Sequence, residues 1–363
     1  MTLVEIAGSG LAELTCARLL ADRGHRVRLA PPRPASHPAG AAGAGAGARP
    51  LLLTGPTLEL VGRLWGDGLL EGGWPLTHRH ARWGSGPSPA RFPQPGRAVD
   101  GAVLAARMRE RLGAGDLSGE PPAWTVTATP GERAAHERTG RRRLLAGTAP
   151  VRSPRDQDTA RLDCTGLGWV HLTPLGGDTC LVQAMVPGPA GDPAGLLARL
   201  LAESALGPRL RRPPRSAVAL AAAPRVHLAP AAAPVAGRGG LLVVGAGALR
   251  QDPISGTGTA QALRTGILAA AVIDAAAAGT SARALCAHYA NRLRTAFHDH
   301  LRTCLRLYPA AFGSGAWQDE IDAMRRALRG GAAGTLPGRS DRAVPSPHRS
   351  HHPDDLPPRR TRQ

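Results

Sequence analysis

The sequence predicts an α/β fold, in which a mainly antiparallel β region interrupts a parallel-sheet domain and helices follow at the C-terminus. Three observations favour this class. The chain begins with the apolar run TLVEIA, the glycine turn GSG and a helical pattern, which is the order of a strand–helix unit. A second apolar run, GLLVVGAG (240–247), also leads through glycines into a helical pattern. Between these two units, short runs with alternating apolar residues indicate strands.

The N-terminal elements follow one another closely. Residues 2–7 form the first predicted strand, and apolar residues then recur at helical spacing up to Gly24, which suits a helix C-terminus. Val27 and Leu29 alternate with polar residues in the next predicted strand, HRVRLA. The stretches 57–70 and 100–113 have helical patterns.

The middle of the chain is predicted to be rich in strands. The arginine-rich stretch ERTGRRR (137–143) is expected to form the tip of a hairpin. The run ARLDCTG (160–166) indicates a strand that ends in a glycine turn. Residues 168–187 predict two strands joined at LGGD.

The C-terminal part is predicted to be helical. One helix is expected from Gly258 to Ala278, and a long amphipathic helix follows. Its apolar face is formed by Leu285, Tyr289, Leu293, Phe297, Leu301 and Leu305. From Gly331 onward Pro, Arg, Ser and His dominate without periodicity, so this tail is predicted to be disordered.

The basic composition does not by itself favour nucleic-acid binding. All 45 basic residues are arginine and the formal net charge is +18, but aromatic residues make up only 3% and provide few stacking platforms. The Ala, Gly, Pro and Arg bias also agrees with a GC-rich coding sequence. No nucleic-acid partner is therefore predicted.

Cysteine usage and the N-terminus favour a cytoplasmic location. The five cysteines are scattered and contain no C-x-x-C pair, which suits a reducing compartment. The first residues lack the basic and apolar regions of a signal peptide. No charge-free apolar stretch reaches membrane length, so no membrane association is predicted.

The stretch GSGLAE follows a predicted strand and opens a helix, which is the context of a dinucleotide-binding loop. Gly8 would make the tight turn, and Gly10 would let a pyrophosphate approach the backbone N–H groups at the helix start. Glu13 stands where a third glycine is usual, and Ala30 and Pro31 stand where an acidic ribose ligand is expected. From this motif alone, an ordinary glycine turn before a helix remains an alternative. The residues of the predicted loop are Gly8, Ser9, Gly10, Leu11, Ala12 and Glu13.

Four stretches taken in order resemble the motifs of flavoprotein monooxygenases with the p-hydroxybenzoate-hydroxylase fold. After GSGLAE, RLDCTG (161–166) resembles the DATG strand end, and VVGAGALRQDPISGTG (243–258) resembles the GDAA…DPxSGxG segment. GWVHLTP (168–174) has the spacing of the W-x-W-x-I-P element of the tryptophan-halogenase-like branch, with His171 at the second Trp and Thr173 at the Ile. The resemblance extends from Leu3 to Ala278.

This resemblance implies a Rossmann-like FAD-binding domain interrupted by a substrate domain. By resemblance, the first half of the segment 243–258 contacts the flavin ribityl chain and the second half lies against the isoalloxazine ring. Gly256 and Gly258 have no side chains to obstruct a flat ring, and the following helix N-terminus favours its electron-rich edge. The implied contacts are Gly245, Ala246, Asp252, Pro253, Ser255, Gly256, Thr257 and Gly258, with Asp252 and Pro253 fixing the turn. Ala246 replaces the usual aspartate, so with Glu13 and Ala30 three positions depart from the pattern.

The implied division has four parts. Residues 1–165 and 239–280 form the FAD-binding domain, and residues 166–238 form the substrate domain. Residues 281–330 form a C-terminal helical segment, and residues 331–363 form the disordered tail.

The resemblance implies FAD-dependent oxidation, and the absence of lysine favours monooxygenation. Tryptophan halogenases use a lysine to carry the activated halogen, and this chain has none. The expected substrate is an aromatic small molecule or a side chain of a partner protein, with NAD(P)H or a flavin reductase as the possible external reductant.

Trp169 and His171 are the candidate catalytic residues, expected to line the substrate site. The alternative for His171 is a hydrogen-bonded core histidine. No metal site is predicted, although HDH (298–300) and HRSHHPDD (348–355) contain ligand types. The competing function is a binding or scaffold protein on a degenerate flavoprotein fold.

Overall fold

A computed structural model describes residues 1–30, 50–84, 90–113, 115, 119–130, 134–153, 157–236 and 238–333. The helices among these residues are α1 (Leu11–Asp22), α2 (Gly55–Trp65), α3 (Gly101–Leu112), α4 (Pro193–Glu203), α5 (Gly245–Ala248), α6 (Gly258–Ala277), α7 (Ala282–Ala311) and α8 (Ala316–Ala333). Short 3-10 turns follow α2 and α4 and precede α6.

The strands form three sheets. In chain order they are β1 (Leu3–Ala7), β2 (Arg26–Ala30), β3 (Pro50–Thr54), β4 (Trp74–Ala81), β5 (Ala90–Asp100), β6 (Trp124–Thr127), β7 (His136–Arg138), β8 (Arg143–Pro150), β9 (Thr159–Cys164), β10 (Trp169–Gly176), β11 (Thr179–Val186), β12 (Val218–Ala221), β13 (Arg225–His227), β14 (Ala231–Ala232), β15 (Gly240–Val243) and β16 (Leu249–Arg250).

The first sheet has five strands in the order β14-β15-β6-β1-β2, and β15, β6, β1 and β2 are parallel. The helices α1 and α6 pack against each other beside it, closely enough that a Cβ at Gly266 would collide with the carbonyl of Ala12. The predicted strand–helix–strand start and the late strand–helix unit therefore meet in one parallel sheet. This is the doubly wound arrangement in which ligands bind beyond the carboxyl ends of the strands.

The second sheet has eight strands in the order β12-β8-β11-β10-β9-β4-β5-β3, antiparallel throughout except for the β4–β9 pair. The predicted pair of strands joined at LGGD is confirmed as β10 and β11. Strands β3, β4, β5, β8 and β9 also belong to this sheet, although they precede the predicted substrate domain. The predicted division at residue 165 thus falls between β9 and β10, which pair with each other.

The hairpin tip predicted at residues 137–143 is wrong. Strand β7 pairs with β13 in a three-stranded sheet, whereas β8 pairs with β11 and β12 in the large sheet. Between β7 and β8, where the chain changes sheets, Arg142 is only 1% exposed and pairs with the acidic residues Asp252 and Glu320.

The C-terminal helices cover the parallel sheet. The apolar face expected for α7 is buried, with Tyr289, Leu293, Phe297 and Leu301 in the main core. Helix α8 reaches Ala333, beyond the predicted tail start at Gly331, and the rest of that tail lies outside the described residues, as does HRSHHPDD. Helix α6 is long and apolar enough to cross a membrane by length and composition alone, but it is half buried against α1 and α7 as a core helix.

Candidate active site

The glycine loop lies between β1 and α1, as the sequence predicts. Gly10 is the residue before the helix and is extended, at φ −78° and ψ 165°, and it has no side chain that could cap the helix N–H groups. Ser9 and Leu11 are at least partly exposed, whereas Ala12 is buried against α6. The helix start is therefore positioned for an anion, as a phosphate loop requires.

The Glu13 carboxyl group occupies this loop. Its Oε1 accepts a hydrogen bond from the Ala128 N–H at 2.9 Å, and the side chain fills the space in which a Cβ at Gly8 or Gly10 would lie. Glu13 is only 3% exposed, and its Oε2 has no hydrogen-bond partner among the described residues. Burial raises the pKa of Glu13, against the opposing effect of hydrogen bonds from the backbone of Ala128, Glu13 and Gly10. The carboxyl group thus lies on the side of Gly10 from which a pyrophosphate approaches.

The second predicted loop follows β15 at the same edge of the parallel sheet. Gly245 has a positive φ of 58° and donates its N–H to the Thr265 hydroxyl at 2.7 Å. Ala246, where the resembling family has aspartate, is exposed. Ala30 ends β2, and the residues after it lie outside the described part of the chain.

The turn formed by residues 252–258 leads into α6. Gly256 is in the left-handed region at φ 63°, and a Cβ at Gly256 or Gly258 would meet no described atom within 4 Å. The Ser255 and Thr257 hydroxyl groups are 2.7 Å apart, and neither caps the N-terminus of α6. The free N–H groups of this helix therefore face open space next to the turn.

Asp252 holds this turn from inside the protein. Its Oδ1 accepts from the Ile254 N–H at 2.9 Å, and its Oδ2 accepts from the Tyr308 hydroxyl at 2.9 Å. Arg142 Nε lies 2.8 Å from Oδ2, and both side chains are fully buried. Asp252 was expected to fix the turn, and these contacts do so; its carboxylate does not face the open side where a cofactor would lie.

Asp252 belongs to a group of five buried polar residues, which we name the Asp252 cluster. Its members are Arg142, Asp252, His300, Tyr308 and Glu320. His300 Nε2 accepts the Asp252 backbone N–H at 2.7 Å, and burial lowers the pKa of His300 to about 4, so its ring is neutral. Burial alone would lower the pKa of Arg142, but the neighbouring Asp252, Tyr308 and Glu320 raise it on balance. The cluster joins the turn to β8, α7 and α8.

A cavity of about 270 Å³ lies between the turn and one face of the eight-stranded sheet. The candidate catalytic residues Trp169 and His171 both line it, together with Arg79, Leu162, Thr173 and Gln183 from the same sheet. His171 Nδ1 is 3.1 Å from the Thr173 hydroxyl, and burial, with a smaller effect of the Arg79 charge, lowers the pKa of His171 to about 3. Trp169 donates its Nε1–H to the Tyr308 hydroxyl at 3.2 Å. The cavity wall is therefore connected to the Asp252 cluster.

Several residues of this site were missed by sequence reasoning. Arg79, Arg142, Tyr308 and Glu320 come from four separate elements or loops, and none belongs to a motif. The sequence signal at Arg142 is the arginine-rich stretch 137–143, whose pattern predicts the tip of a hairpin rather than a buried arginine. Among the described residues no group of three or more His, Cys, Asp or Glu side chains is placed to hold a metal ion.

Comparison with solved structures identifies the fold. No protein-family model matches the sequence, and no curated protein does. The myxobacterial chondrochloren halogenase CndH, a variant of FAD-dependent halogenases, has a TM-score of 0.67 at 19% identity over 91% of this chain and 88% of that chain. The peptidyl tryptophan dihydroxylase QhpG has a TM-score of 0.68 at 17% identity over 88% of this chain and 78% of that chain. A variant of HpxO from Klebsiella pneumoniae, complexed with FAD, has a TM-score of 0.60 at 16% identity over 92% of this chain and 98% of that chain.

The chain has the fold of FAD-dependent halogenases and monooxygenases. The α/β class and the fold expected from the sequence motifs are thereby confirmed. Sequence identity to these structures is below 20%, so the prediction of this fold depended on the order of the short motifs along the chain.

The turn that contains Gly256 and Gly258 has room for a flavin ring. At the glycine loop, by contrast, the Glu13 side chain restricts the space for the pyrophosphate of FAD. Room beside Gly256 and Gly258, next to uncapped N–H groups, suits a planar ring with an electron-rich edge. At the glycine loop the Glu13 carboxyl group has to move away, or bind a proton, before a pyrophosphate can contact the loop. A glutamate side chain can rotate, so the loop fits FAD once that movement occurs.

Proposed function

We propose that this protein is an FAD-dependent monooxygenase that hydroxylates an aromatic substrate in the cavity between the eight-stranded sheet and the 252–258 turn. The observation that carries the proposal is the placement of that cavity. It opens onto the glycine turn that precedes α6 and is lined by the predicted residues Trp169 and His171. The similar structures include an FAD-dependent halogenase, a peptidyl tryptophan dihydroxylase and an FAD complex of HpxO.

In this proposal the glycine loop from Gly8 to Glu13 and the loop at Gly245 and Ala246 hold the dinucleotide and ribityl parts of FAD. The segment from Pro253 to Gly258 faces the ring, and Asp252 positions that segment from behind. Bound FAD, reduced by two electrons from an external donor, would supply activation of dioxygen, with one oxygen atom inserted into the substrate and the other released as water. Residues of this chain orient the substrate and exclude water.

His171 has a positioning role in this proposal. Because its pKa is about 3, the ring is neutral at physiological pH, and the hydrogen bond with Thr173 fixes its orientation. A neutral imidazole can donate or accept one hydrogen bond toward the substrate without adding charge. Trp169 forms an apolar wall whose position depends on Tyr308.

Halogenation is not part of the proposal, because the chain has no lysine to carry an activated halogen. The proposed substrate is an aromatic small molecule or an aromatic side chain of a partner protein. We also propose a cytoplasmic location, on the basis of the scattered free cysteines.

The second candidate function is a binding or scaffold protein that has lost the flavin. The observation that favours it is the Glu13 carboxyl group within the glycine loop. Absorption spectroscopy of the full chain, purified with and without added FAD, separates the two. Bound flavin absorbance, followed by oxygen uptake after reduction, supports the monooxygenase. A protein that binds no FAD, in the wild type and in Glu13→Gly alike, supports the scaffold.

A further inference from the structure

The three-stranded sheet formed by β7, β13 and β16 carries a row of arginines on one face. Arg225 on β13 is directly opposite Arg138 on β7 and Arg250 on β16, and both pairs of strands are antiparallel. Residues directly opposite in antiparallel strands have their side chains on the same face, with Cβ atoms about 4.5–5.5 Å apart. These three side chains, which we name the arginine row, therefore lie side by side across the sheet.

The positive charge of the arginine row is not neutralised by any described carboxylate. None of its three guanidinium groups forms an ion pair within the described part of the chain. Arg250 donates to the Ala221 carbonyl at 3.0 Å, whereas the buried Nε of Arg225 has no hydrogen-bond partner among the described residues. Like charges directly opposite each other destabilise a sheet, so a bound anion would relieve this repulsion.

Burial makes this unpaired charge more costly. It lowers the pKa of Arg225, and it lowers the pKa of Arg250 to about 10. In each case the charge of a neighbouring arginine in the row lowers the pKa further. A cation that loses contact with water is stabilised again only by an anionic partner.

Two other inward-facing arginines of this chain have such partners. Arg82 binds Asp163 through two hydrogen bonds of 2.6 and 2.8 Å. Arg142 lies between Asp252 and Glu320. The arginine row differs from both, since none of the described carboxylates pairs with it.

A cavity of about 230 Å³ adjoins the arginine row. Its described wall consists of four arginines and three small apolar residues: Arg138, Arg141, Arg142, Arg143, Pro189, Ala221 and Ala223. Of the four arginines only Arg142 has a carboxylate partner among the described residues. Arg138 belongs to both the row and the cavity, and the carbonyl group of Ala221 connects the cavity to Arg250. The row and the cavity thus form one continuous basic surface.

The shape and composition of this surface suit phosphate groups better than a single carboxylate. One guanidinium group is enough to bind both oxygens of a carboxylate, whereas a diphosphate or triphosphate offers charged oxygens to several arginines at once. The arginine row extends over two strand spacings, which is about 10 Å. The described cavity wall has no aromatic side chain on which a base could stack, so phosphate oxygens would provide the contacts.

We infer that the arginine row and the adjoining cavity bind a diphosphate or triphosphate group, whose oxygens accept hydrogen bonds from Arg138, Arg225 and Arg250. Such a group is the end of a nucleotide or an inorganic polyphosphate. The site does not depend on the proposed function, because it shares no described lining residue with the cavity beside the 252–258 turn.

The test compares anions of increasing charge. Isothermal titration calorimetry in chloride-free buffer measures the binding of phosphate, pyrophosphate, tripolyphosphate and ADP to the full chain. The titrations are repeated with added FAD, because the glycine loop could bind the same anions. Tripolyphosphate is expected to bind at least about 10-fold more tightly than phosphate, since it accepts charge-assisted hydrogen bonds from more arginines. ADP that binds with the affinity of pyrophosphate indicates that the phosphates alone are recognised, and tighter binding of ADP identifies a nucleotide as the source; both results support the site.

Two double variants locate the binding. Arg138→Gln combined with Arg225→Gln should weaken tripolyphosphate binding about 10-fold or more. Arg292→Gln combined with Arg294→Gln removes the same charge from the exposed face of α7 and should retain the wild-type affinity. Circular dichroism confirms that each variant is folded. Arg138→Gln alone, at an exposed position, gives the same comparison if the first double variant does not fold.

The assignment is overturned if phosphate and tripolyphosphate bind equally, or if neither binds. It is also overturned if both double variants lose the same affinity, because that result would show only a general attraction of anions to a chain with a net charge of +18. A hexaglutamate peptide that binds more tightly than tripolyphosphate through Arg138 and Arg225 would instead assign the surface to an acidic segment of a partner protein. The proposed function fails separately, since a protein that binds no FAD can still bind tripolyphosphate here.

Discussion

Arg142 and Asp252 form an ion pair from which water is fully excluded. Arg142 Nε lies 2.8 Å from Asp252 Oδ2, and both side chains have no exposed surface. The pair connects the residue before β8 to the turn before α6, so it couples the substrate sheet to the segment that faces the proposed flavin. Tyr308 strengthens this link, since it donates to the same carboxylate and accepts from Trp169.

Asp252→Asn is expected to destabilise the protein strongly. The substitution leaves Arg142 buried with only Glu320 as a charged partner among the described residues, and breaking a buried pair costs about 3–5 kcal/mol. Urea unfolding measures the change in the free energy of unfolding. Asp178→Asn is the matched control, because Asp178 pairs with Arg211 at the surface and such a pair contributes about 1 kcal/mol or less. Equal effects of the two substitutions would contradict a structural role for the buried pair.

The sequence predicted the backbone of this site better than its side chains. GSGLAE and DPISGTG are local motifs in which glycines determine where a chain can turn and where a ligand can approach, so their order along the chain is enough to recognise them. Trp169 and His171 follow from the strand spacing of GWVHLTP, since alternate residues share one face of a sheet. DPISGTG, Trp169 and His171 lie around the same cavity.

The buried polar network was beyond sequence reasoning because its members are distant in the chain. Arg142, Asp252 and Tyr308 meet only after the chain changes sheets and α7 packs against the turn. The same holds for Arg79, whose place on the cavity wall depends on the pairing of β4 with β9 rather than on any motif. A pattern of arginines in an arginine-rich chain gives no local sign of which one is buried.

Glu13→Gly is expected to tighten FAD binding about 10-fold or more. The wild-type carboxyl group fills the loop and has one buried oxygen without a partner among the described residues, so its removal opens the space that a pyrophosphate needs. Calorimetry or quenching of FAD fluorescence measures the affinity. Glu59→Gln, on the exposed face of α2, should leave it unchanged. No gain in Glu13→Gly would mean that the loop does not contact FAD.

FAD affinity of the wild type should fall as the pH rises above the ordinary pKa of glutamate, about 4.3. Burial raises the pKa of Glu13, so a proton is lost above that value, and the resulting carboxylate repels the pyrophosphate. The Cys16 thiol, one helical turn away, remains neutral because its pKa is also raised by burial. Glu13→Gln cannot titrate, and its affinity should therefore vary much less with pH than that of the wild type.

Ala246→Asp should tighten FAD binding several-fold, on the order of 1 kcal/mol. The position follows β15 beside the predicted ribityl site and is exposed, so a carboxylate can be introduced without burying an unpaired charge. The same calorimetric titration measures the effect. Weaker or unchanged binding would place the ribityl chain elsewhere.

His171→Gln should make the protein less sensitive to acid. Burial and the neighbouring Arg79 charge lower the pKa of His171 to about 3 in the folded protein, whereas the unfolded chain binds the proton near about pH 6.5. The stabilising contribution is therefore present above about pH 6.5 and is lost as the pH falls toward the folded value. Urea unfolding at about pH 7 and about pH 4.5 should show a smaller loss of stability in the variant. His300 is present in both proteins, so its contribution to the loss of stability in acid is the same in each and cancels in the comparison.

Trp169→Phe should change the coupling of oxygen use to product more than it changes FAD affinity. The indole lines the cavity and donates to Tyr308 at 3.2 Å, while the glycine loop that would hold the dinucleotide is formed by other elements. Phenylalanine keeps the apolar wall but loses this hydrogen bond, so the wall is held less firmly against the substrate. Oxygen uptake with peroxide detection on the FAD-loaded protein gives the coupling ratio, and mass spectrometry of aromatic compounds offered as substrates gives the product. We expect more peroxide per oxygen consumed in the variant, with FAD affinity within about twofold of the wild type.

Because the chain has no lysine, added chloride or bromide should yield no halogenated product in either protein. A bromide-dependent product would contradict monooxygenation, and an unchanged peroxide yield would mean that Trp169 does not position the substrate.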